Sequence, residues 1–301
     1  MRLLITALVL LALSLAPEAR AAIPQRIVAT TFPVYQLVRN VARNVPDREV
    51  MLMLPAQAGC PHDYALTPQD VNKAASADIL VVNGQGLETF LGSLSGLTKK
   101  HMRLIDASRD IPDLIVYADA KKDEHGHGGT NPHLFASPRM AAAMTLSIGR
   151  QLAKADPANA DAYRANAEAY ARRLDALADD FAALGKTLKN TRIVTQHGVF
   201  DYLARDMGLS VVGVVQAHDT QAPSAADMMR LIKGIREQKA GAIFTEPQYP
   251  DKIGATLSRE TGVPTATLDP VATGPLSAPL DYYETVMREN LRTLEATLGT
   301  E

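Results

Sequence analysis

The sequence predicts an α/β protein built as two Rossmann-like lobes with parallel sheets, joined by one long rigid helix. Three observations predict it. Short β-branched or aliphatic runs alternate with helical patterns through residues 22–155, and the alternation resumes through 190–301. Between them, residues 156–189 carry the clearest periodic signal in the chain. Strand–helix alternation requires crossovers, and crossovers make parallel sheets covered by helices. The chain, 301 residues long, is long enough for two lobes of roughly 130 residues each.

The first element is a leader. Met1-Arg2 is basic, residues 3–15 are almost unbroken apolar, and Ala19-Arg20-Ala21 offers a small-residue cleavage site. That order reads as a secretory signal peptide over residues 1–21. The apolar run is too short to span a bilayer, which takes about 20 residues. The expected location is therefore the periplasm.

In the first half, 26–32, 50–54 and 78–83 read as buried strands bounded by Pro, Gly and polar residues, and 102–105 adds a further candidate. Helical patterns fall at 34–45 and 67–75, the latter with Pro68 in its first turn. Another helix begins near Pro138. Residues 119–130, with His125 and His127 separated by one glycine, are polar and glycine-rich and predict a surface loop. In the second half the strands are expected at 192–195, 210–215, 242–245 and 265–268, with helices at 199–207, 225–238 and 252–261.

The linking segment holds Ala160, Tyr163, Ala167, Tyr170, Leu174, Leu177, Phe181, Leu184 and Leu188 at alternating spacings of three and four. Such spacing lays one apolar stripe along a helix. Asp156 fits an N-cap and Pro157 the first helical position. The stripe suits either a coiled-coil seam or an internal brace; its place between two α/β halves favours the brace. No internal sequence repeat is visible.

Composition narrows the function classes. Without residues 1–21 the chain keeps 29 basic and 32 acidic residues, a formal charge of −3. Nucleic-acid binding, which wants a basic stripe, is not expected. Cys60 is the only cysteine, so no intrachain disulfide can form. It lies two residues before His62 and reads as a small thiol in a turn, with metal contact as the alternative.

Three potential ligands sit at carboxyl ends of second-half strands: His197 after 192–195, Glu246 after 242–245, and Asp269 after 265–268. Ligands of parallel sheets bind beyond those ends, where the loops converge. From the first half, His62 follows the 50–54 strand, and His133 precedes the helix at Pro138. Imidazoles with one carboxylate suit four-coordinate Zn²⁺, whereas Mn²⁺ favours more oxygen. The scattered spacing is no compact motif.

The segments His62-Asp63-Tyr64-Ala65-Leu66-Thr67-Pro68, Asn131-Pro132-His133-Leu134-Phe135-Ala136-Ser137-Pro138 and Gln196-His197-Gly198-Val199-Phe200-Asp201-Tyr202-Leu203 stand out together. With Phe244-Thr245-Glu246-Pro247-Gln248 and Leu268-Asp269-Pro270, the sequence resembles the zinc/manganese solute-binding proteins of ABC transporters over essentially its whole length past the leader. The resemblance implies one metal held in a cleft between two lobes, with His62, His133, His197 and Asp269 as ligands. In that family, histidine at the third position goes with zinc and glutamate with manganese, so His197 favours Zn²⁺. Glu246 matches a glutamate close to the metal, as a supporting or reserve ligand. The loop with His125 and His127 matches a histidine-rich loop that captures metal or receives it from a donor protein. Asn131 is a departure, since the family commonly has an acidic residue there, and the chain has no Trp near His133.

The resemblance further implies a monomer that delivers Zn²⁺ to the membrane permease of an ABC transporter. Two rivals follow from the same residues: a manganese-binding member of that family, and a zinc-dependent hydrolase using Glu246 as base. A closed fourth ligand and the lack of a His-Glu-x-x-His segment argue against the enzyme.

Overall fold

A computed structural model describes residues 25–59, 61, 64–94, 96, 101–117, 129–216, 223–250 and 252–299. The leader, Cys60, His62, His125, His127 and His218 lie outside the described residues.

Two parallel sheets are present. β1 (Gln25–Ala29), β2 (Arg48–Leu52), β3 (Ile79–Val82) and β4 (Arg103–Asp106) form the first, in the order β2-β1-β3-β4. β5 (Arg192–Thr195), β6 (Ser210–Val214), β7 (Ala242–Thr245) and β8 (Thr265–Thr267) form the second, in the order β6-β5-β7-β8. The strand order is the same in both, a repeat of topology that no repeat of residues announces. In each sheet the chain turns one way from the first strand and the other way to the third. That reversal opens a crevice at the carboxyl ends of β1 and β3 in one lobe, and of β5 and β7 in the other.

The first-lobe helices are α1 (Phe32–Val41), α2 (Pro68–Ser76) and α3 (Pro138–Ala155). α1 begins earlier than residue 34 and the first strand stops short of residue 32, because Thr31 is extended and Pro33 sits in the first helical turn. α2 starts with a capping box in which Thr67 and Asp70 each bond the other's backbone N–H. In the second lobe, α5 (Asp201–Met207) ends at Gly208, whose φ of 75° supplies the left-handed C-cap. α6 (Ala225–Gln238) repeats the capping box with Ser224 and Asp227. α7 (Lys252–Thr261) and a final helix, α8 (Tyr282–Leu298), complete the lobe.

The long helix is α4 (Ala160–Gly185), about 39 Å at 1.5 Å rise per residue. It begins at Ala160 after a 3₁₀ turn, Pro157–Asn159, rather than at Pro157. Asp156 is not spent on a cap bond. Its carboxylate instead accepts from Arg48 Nη2 at 2.5 Å, Tyr163 Oη at 3.1 Å and Asn159 Nδ2 at 3.0 Å. These bonds hold that carboxyl below the ordinary range despite its burial. Tyr163, Ala167, Tyr170, Leu174, Leu177 and Phe181 are all buried in the chain's own core, so the stripe is an internal brace rather than a free seam. α3 and α4 cross so closely at Gly149 that a Cβ there would collide with Ala167.

One apolar cluster runs through both lobes, from Ile27 and Val38 through Tyr170 and Phe181 to Tyr283, Met287 and Leu294. Polar contacts follow the same seam. Tyr283 donates to the Phe135 carbonyl at 2.8 Å, Asn40 to the Leu280 carbonyl at 2.8 Å, and Ser137 to Asp206 at 2.6 Å. The outer faces carry two smaller clusters, around Leu80 and Met53 in the first lobe and around Ile243 and Leu257 in the second.

Candidate metal centre

His197 lies two residues past the end of β5, in an extended conformation before the 3₁₀ turn Gly198–Phe200. Its position is the crevice between β5 and β7. Glu246 follows β7 and lies across that crevice, its Oε1 at 2.6 Å from His197 Nδ1. A carboxylate only accepts, so the neutral imidazole carries its proton on Nδ1 and its lone pair on Nε2, the atom that would meet a metal. The other Glu246 oxygen accepts from Gln248 Nε2 at 2.6 Å. Glu246 is 1% exposed, so its orientation is fixed on both oxygens. The Tyr249 ring stands edge-on to His197, centroids 5.9 Å apart.

His133 comes from the first lobe, in the turn that enters the short 3₁₀ helix Leu134–Ala136. Asn131 Oδ1 accepts from both the His133 backbone N–H and Nδ1, each at 2.9 Å. The same tautomer results as at His197, with the lone pair on Nε2. Behind this turn, Asn83 Nδ2 donates to the Pro132 carbonyl at 2.9 Å. Asn83 is tied in turn to the buried Glu88, whose carboxylate accepts from Thr30 Oγ1 at 2.6 Å and the backbone N–H groups of Asn83 and Gly84 at 2.6 and 3.2 Å. Burial pushes the Glu88 carboxyl above the ordinary range, against those three donors.

The structure brings His133 and His197 together. Their rings lie 5.1 Å apart at 79°, both almost fully buried. Glu246 joins them through His197. Asp269 sits at the end of β8 beside Tyr282, with its Oδ1 accepting from the Val271 N–H at 2.7 Å and its backbone pinned on both sides by Asn290. Val271 is held at φ 62°, the left-handed region that a β-branched residue rarely adopts. Burial pushes the Asp269 carboxyl up, partly countered by the Val271 N–H. Among the described residues, no three His, Cys, Asp or Glu side chains converge on one point. The expected ligand His62 and its neighbour Asp63 are outside those residues.

Residues that the sequence did not single out complete the surroundings. Asp201, at the start of α5, accepts from Tyr117 Oη at 2.5 Å and from Asn131 Nδ2 at 3.2 Å. Burial raises its carboxyl, while Tyr117, Asn131 and the nearby His197 pull it down. Tyr117 stands where residues 117 and 129–131 close the base of the segment 118–128, through bonds from Tyr117 N–H to Gly129 O and Asn131 N–H to Ile115 O. The one available signal for these roles was the amide at position 131, two residues before a candidate ligand.

Residues 27–297 match the family ZnuA, described as zinc-uptake complex component A, periplasmic. The zinc-binding protein AdcA of Streptococcus pyogenes serotype M1 is 30% identical over 290 residues, which cover 90% of this chain and 56% of that protein. The chain thus spans about half the length of those AdcA relatives. The high-affinity zinc uptake system protein ZnuA of Bacillus subtilis is 29% identical over 285 residues, covering 90% of this chain and 87% of that protein. Among solved structures, the SBP FpvC of Pseudomonas aeruginosa in complex with Mn²⁺ aligns at a TM-score of 0.78 with 31% identity, covering 92% and 98% of the two chains. A Zn(II)-bound mutant variant of AdcAII from Streptococcus pneumoniae aligns at 0.78 with 26% identity, covering 92% and 99%.

Proposed function

The chain belongs to the family of the periplasmic zinc-uptake component A, and from that premise we propose that it captures one Zn²⁺ ion outside the cytoplasm and hands it to the permease of an ABC transporter. Residues 22–155 and 190–301 are then the two lobes, and 156–189 links them. The ligands are His62, His133, His197 and Asp269. Glu246 acts by holding His197, and His125 and His127 serve capture from solution or from a metal-donating protein. The protein works as a monomer, exported by a leader at 1–21. Among the described residues, no helix is long and apolar enough to cross a membrane.

The observation that carries this reading is the buried histidine pair across the lobe boundary. Each ring has its Nδ1 engaged by an acceptor, so both are preset as neutral Nε2 ligands. Metal-binding histidines are usually held this way by their second nitrogen. Two nitrogens and a carboxylate are a donor set for Zn²⁺ rather than for Mn²⁺. Imidazole must be neutral to bind, so affinity falls as the histidines take up protons.

A second reading has one observation behind it: aligned structures of FpvC contain Mn²⁺ and Ni²⁺. Metal analysis of the native protein, with zinc titrated against a chelator and against manganese, separates the two. We expect one zinc per chain. His133→Ala and His197→Ala should each weaken zinc by more than the roughly 10- to 100-fold typical of losing a supporting partner. One tightly held manganese per chain, or parental zinc affinity in both variants, defeats the proposal.

A further inference from the structure

Asn131 stands between the two histidines, and all its polar groups are used. Its backbone N–H donates to the Ile115 carbonyl at 2.8 Å, and its carbonyl accepts from Tyr202 Oη at 2.8 Å. The side-chain orientation is unambiguous. Oδ1 faces the His133 backbone N–H, which can only donate, and Nδ2 lies 2.8 Å from the Gly198 carbonyl, which can only accept. Nδ2 also reaches Tyr117 Oη at 2.8 Å and the Asp201 carboxylate at 3.2 Å. Asn131 is fully buried, so these bonds do not compete with bulk water.

Its oxygen therefore holds the first-lobe histidine, while its nitrogen holds the residue that follows the second-lobe histidine. We propose that Asn131 is a positioning residue which, through Asp201 and Tyr117, sets the separation of His133 and His197 and so tunes metal affinity. The inference rests on the reading of His133 as a ligand. It goes further in assigning a cross-lobe partner. The negative charge of this network sits on Asp201, and position 131 must be a donor toward it. A carboxylate at 131 would still accept from His133 but would confront Asp201, oxygen against oxygen. Gly198 belongs to the same device: a Cβ there would come within 2.9 Å of Tyr117 Oη and 3.3 Å of Asp201 Oδ2.

The test is a charge exchange in the full chain, read by zinc competition against a chelator and by ¹⁵N NMR of the His133 tautomer. Asn131→Asp should weaken zinc about tenfold, the lower end of the range for supporting partners, and Asp201→Asn by less. The double variant N131D/D201N restores a donor–acceptor pair between positions 131 and 201 but leaves the Gly198 carbonyl facing an oxygen, so it should recover part of the loss, clearly better than the sum of the two single effects, with His133 protonated on Nδ1 throughout. Losses that simply add in the double variant, or parental affinity in N131D, overturn the proposal. Should N131D fail to fold, Tyr117→Phe at the half-exposed rim carries the test: a severalfold weakening at unchanged melting temperature supports it, and unchanged affinity overturns it. His133→Ala run alongside separates the two levels. Parental zinc binding there sinks the ligand assignment itself, whereas lost binding there with no rescue in the swap sinks only the bridge.

Discussion

The two lobes offer equivalent crevices, one between β1 and β3 and the other between β5 and β7, and the sequence fills them differently. In the first lobe the crevice is closed by Glu88, whose carboxylate is consumed by three donors from Thr30, Asn83 and Gly84. In the second lobe the crevice holds His197 against Glu246, which fixes the imidazole lone pair on Nε2. Both carboxylates are buried. One is turned inward to its own backbone, and the other is turned onto the His197 ring. Topology supplies a place for a site twice; which place becomes chemistry depends on whether the carboxylate's partner has a second reactive atom. The first lobe then brings its own histidine in from elsewhere, on the turn at Pro132, anchored to the sealed crevice through Asn83.

Substitutions should separate the two crevices. The largest effect belongs to Glu88→Ala, which leaves the buried N–H groups of Asn83 and Gly84 without their acceptor at about 1–3 kcal/mol each, while Thr30 Oγ1 keeps only the Val81 carbonyl at 3.3 Å. Denaturant unfolding should show a loss of several kcal/mol, with zinc affinity of the folded fraction much less affected. Glu246→Leu should show the opposite profile: zinc weaker by about 100-fold, because the charged acceptor on His197 Nδ1 is lost, with a smaller change in stability. If both variants lose stability and affinity in the same proportion, the contrast between a sealing and an orienting carboxylate is wrong.

A milder change sharpens the contrast. Glu246→Gln keeps an acceptor on His197 Nδ1 but removes the charge, so the second-lobe support becomes a neutral amide like Asn131. Zinc affinity measured by competition should fall about tenfold, well short of the leucine variant. An affinity equal to that of the leucine variant would show that charge, not orientation, is what Glu246 provides.

The smallest effect is the pH response of the sealed crevice. Burial raises the Glu88 carboxyl, so the folded chain takes up that proton more readily than the unfolded one. The stability it contributes is full below the unfolded value and is lost as pH rises through the folded value. As pH falls from neutral toward the ordinary carboxylate range, the folded state of the parent should gain on that of Glu88→Gln. A flat difference between the two unfolding curves would show that Glu88 stays ionised throughout.

Much of the second lobe was legible because its elements are marked at both ends. The strands at 192–195 and 242–245, and the helices at 225–238 and 252–261, stand where β-branched runs, capping residues and glycines put them. Ser224 and Asp227 announce α6. Elements lacking such marks were missed or shifted. α8 starts at Tyr282 with no side-chain cap from Asp281, after a stretch rich in proline. The brace starts three residues late because Asp156, which looks like a cap, is engaged by Arg48 from 108 positions away. The placement of His197 and Glu246 at strand ends could be read from the chain, but their bond spans 49 positions and could not. The Asn131–Asp201 contact spans 70, and nothing local encodes it.

The shared core has a consequence for the order in which the chain can be completed. The inner face of the first lobe is met by the segment that leads into α8 and by that helix's first residue: Phe32 meets the Tyr282 ring edge-on, and Arg39 and Asn40 bond the carbonyls of Ala278 and Leu280. A chain emerging from its N-terminus therefore exposes that apolar face until residues 278–282 are free. Contacts so distant in sequence form late and slowly. The first lobe made is the last to be finished, and a chain threaded through a membrane pore would cover that face only once residues 278–282 had cleared the far side.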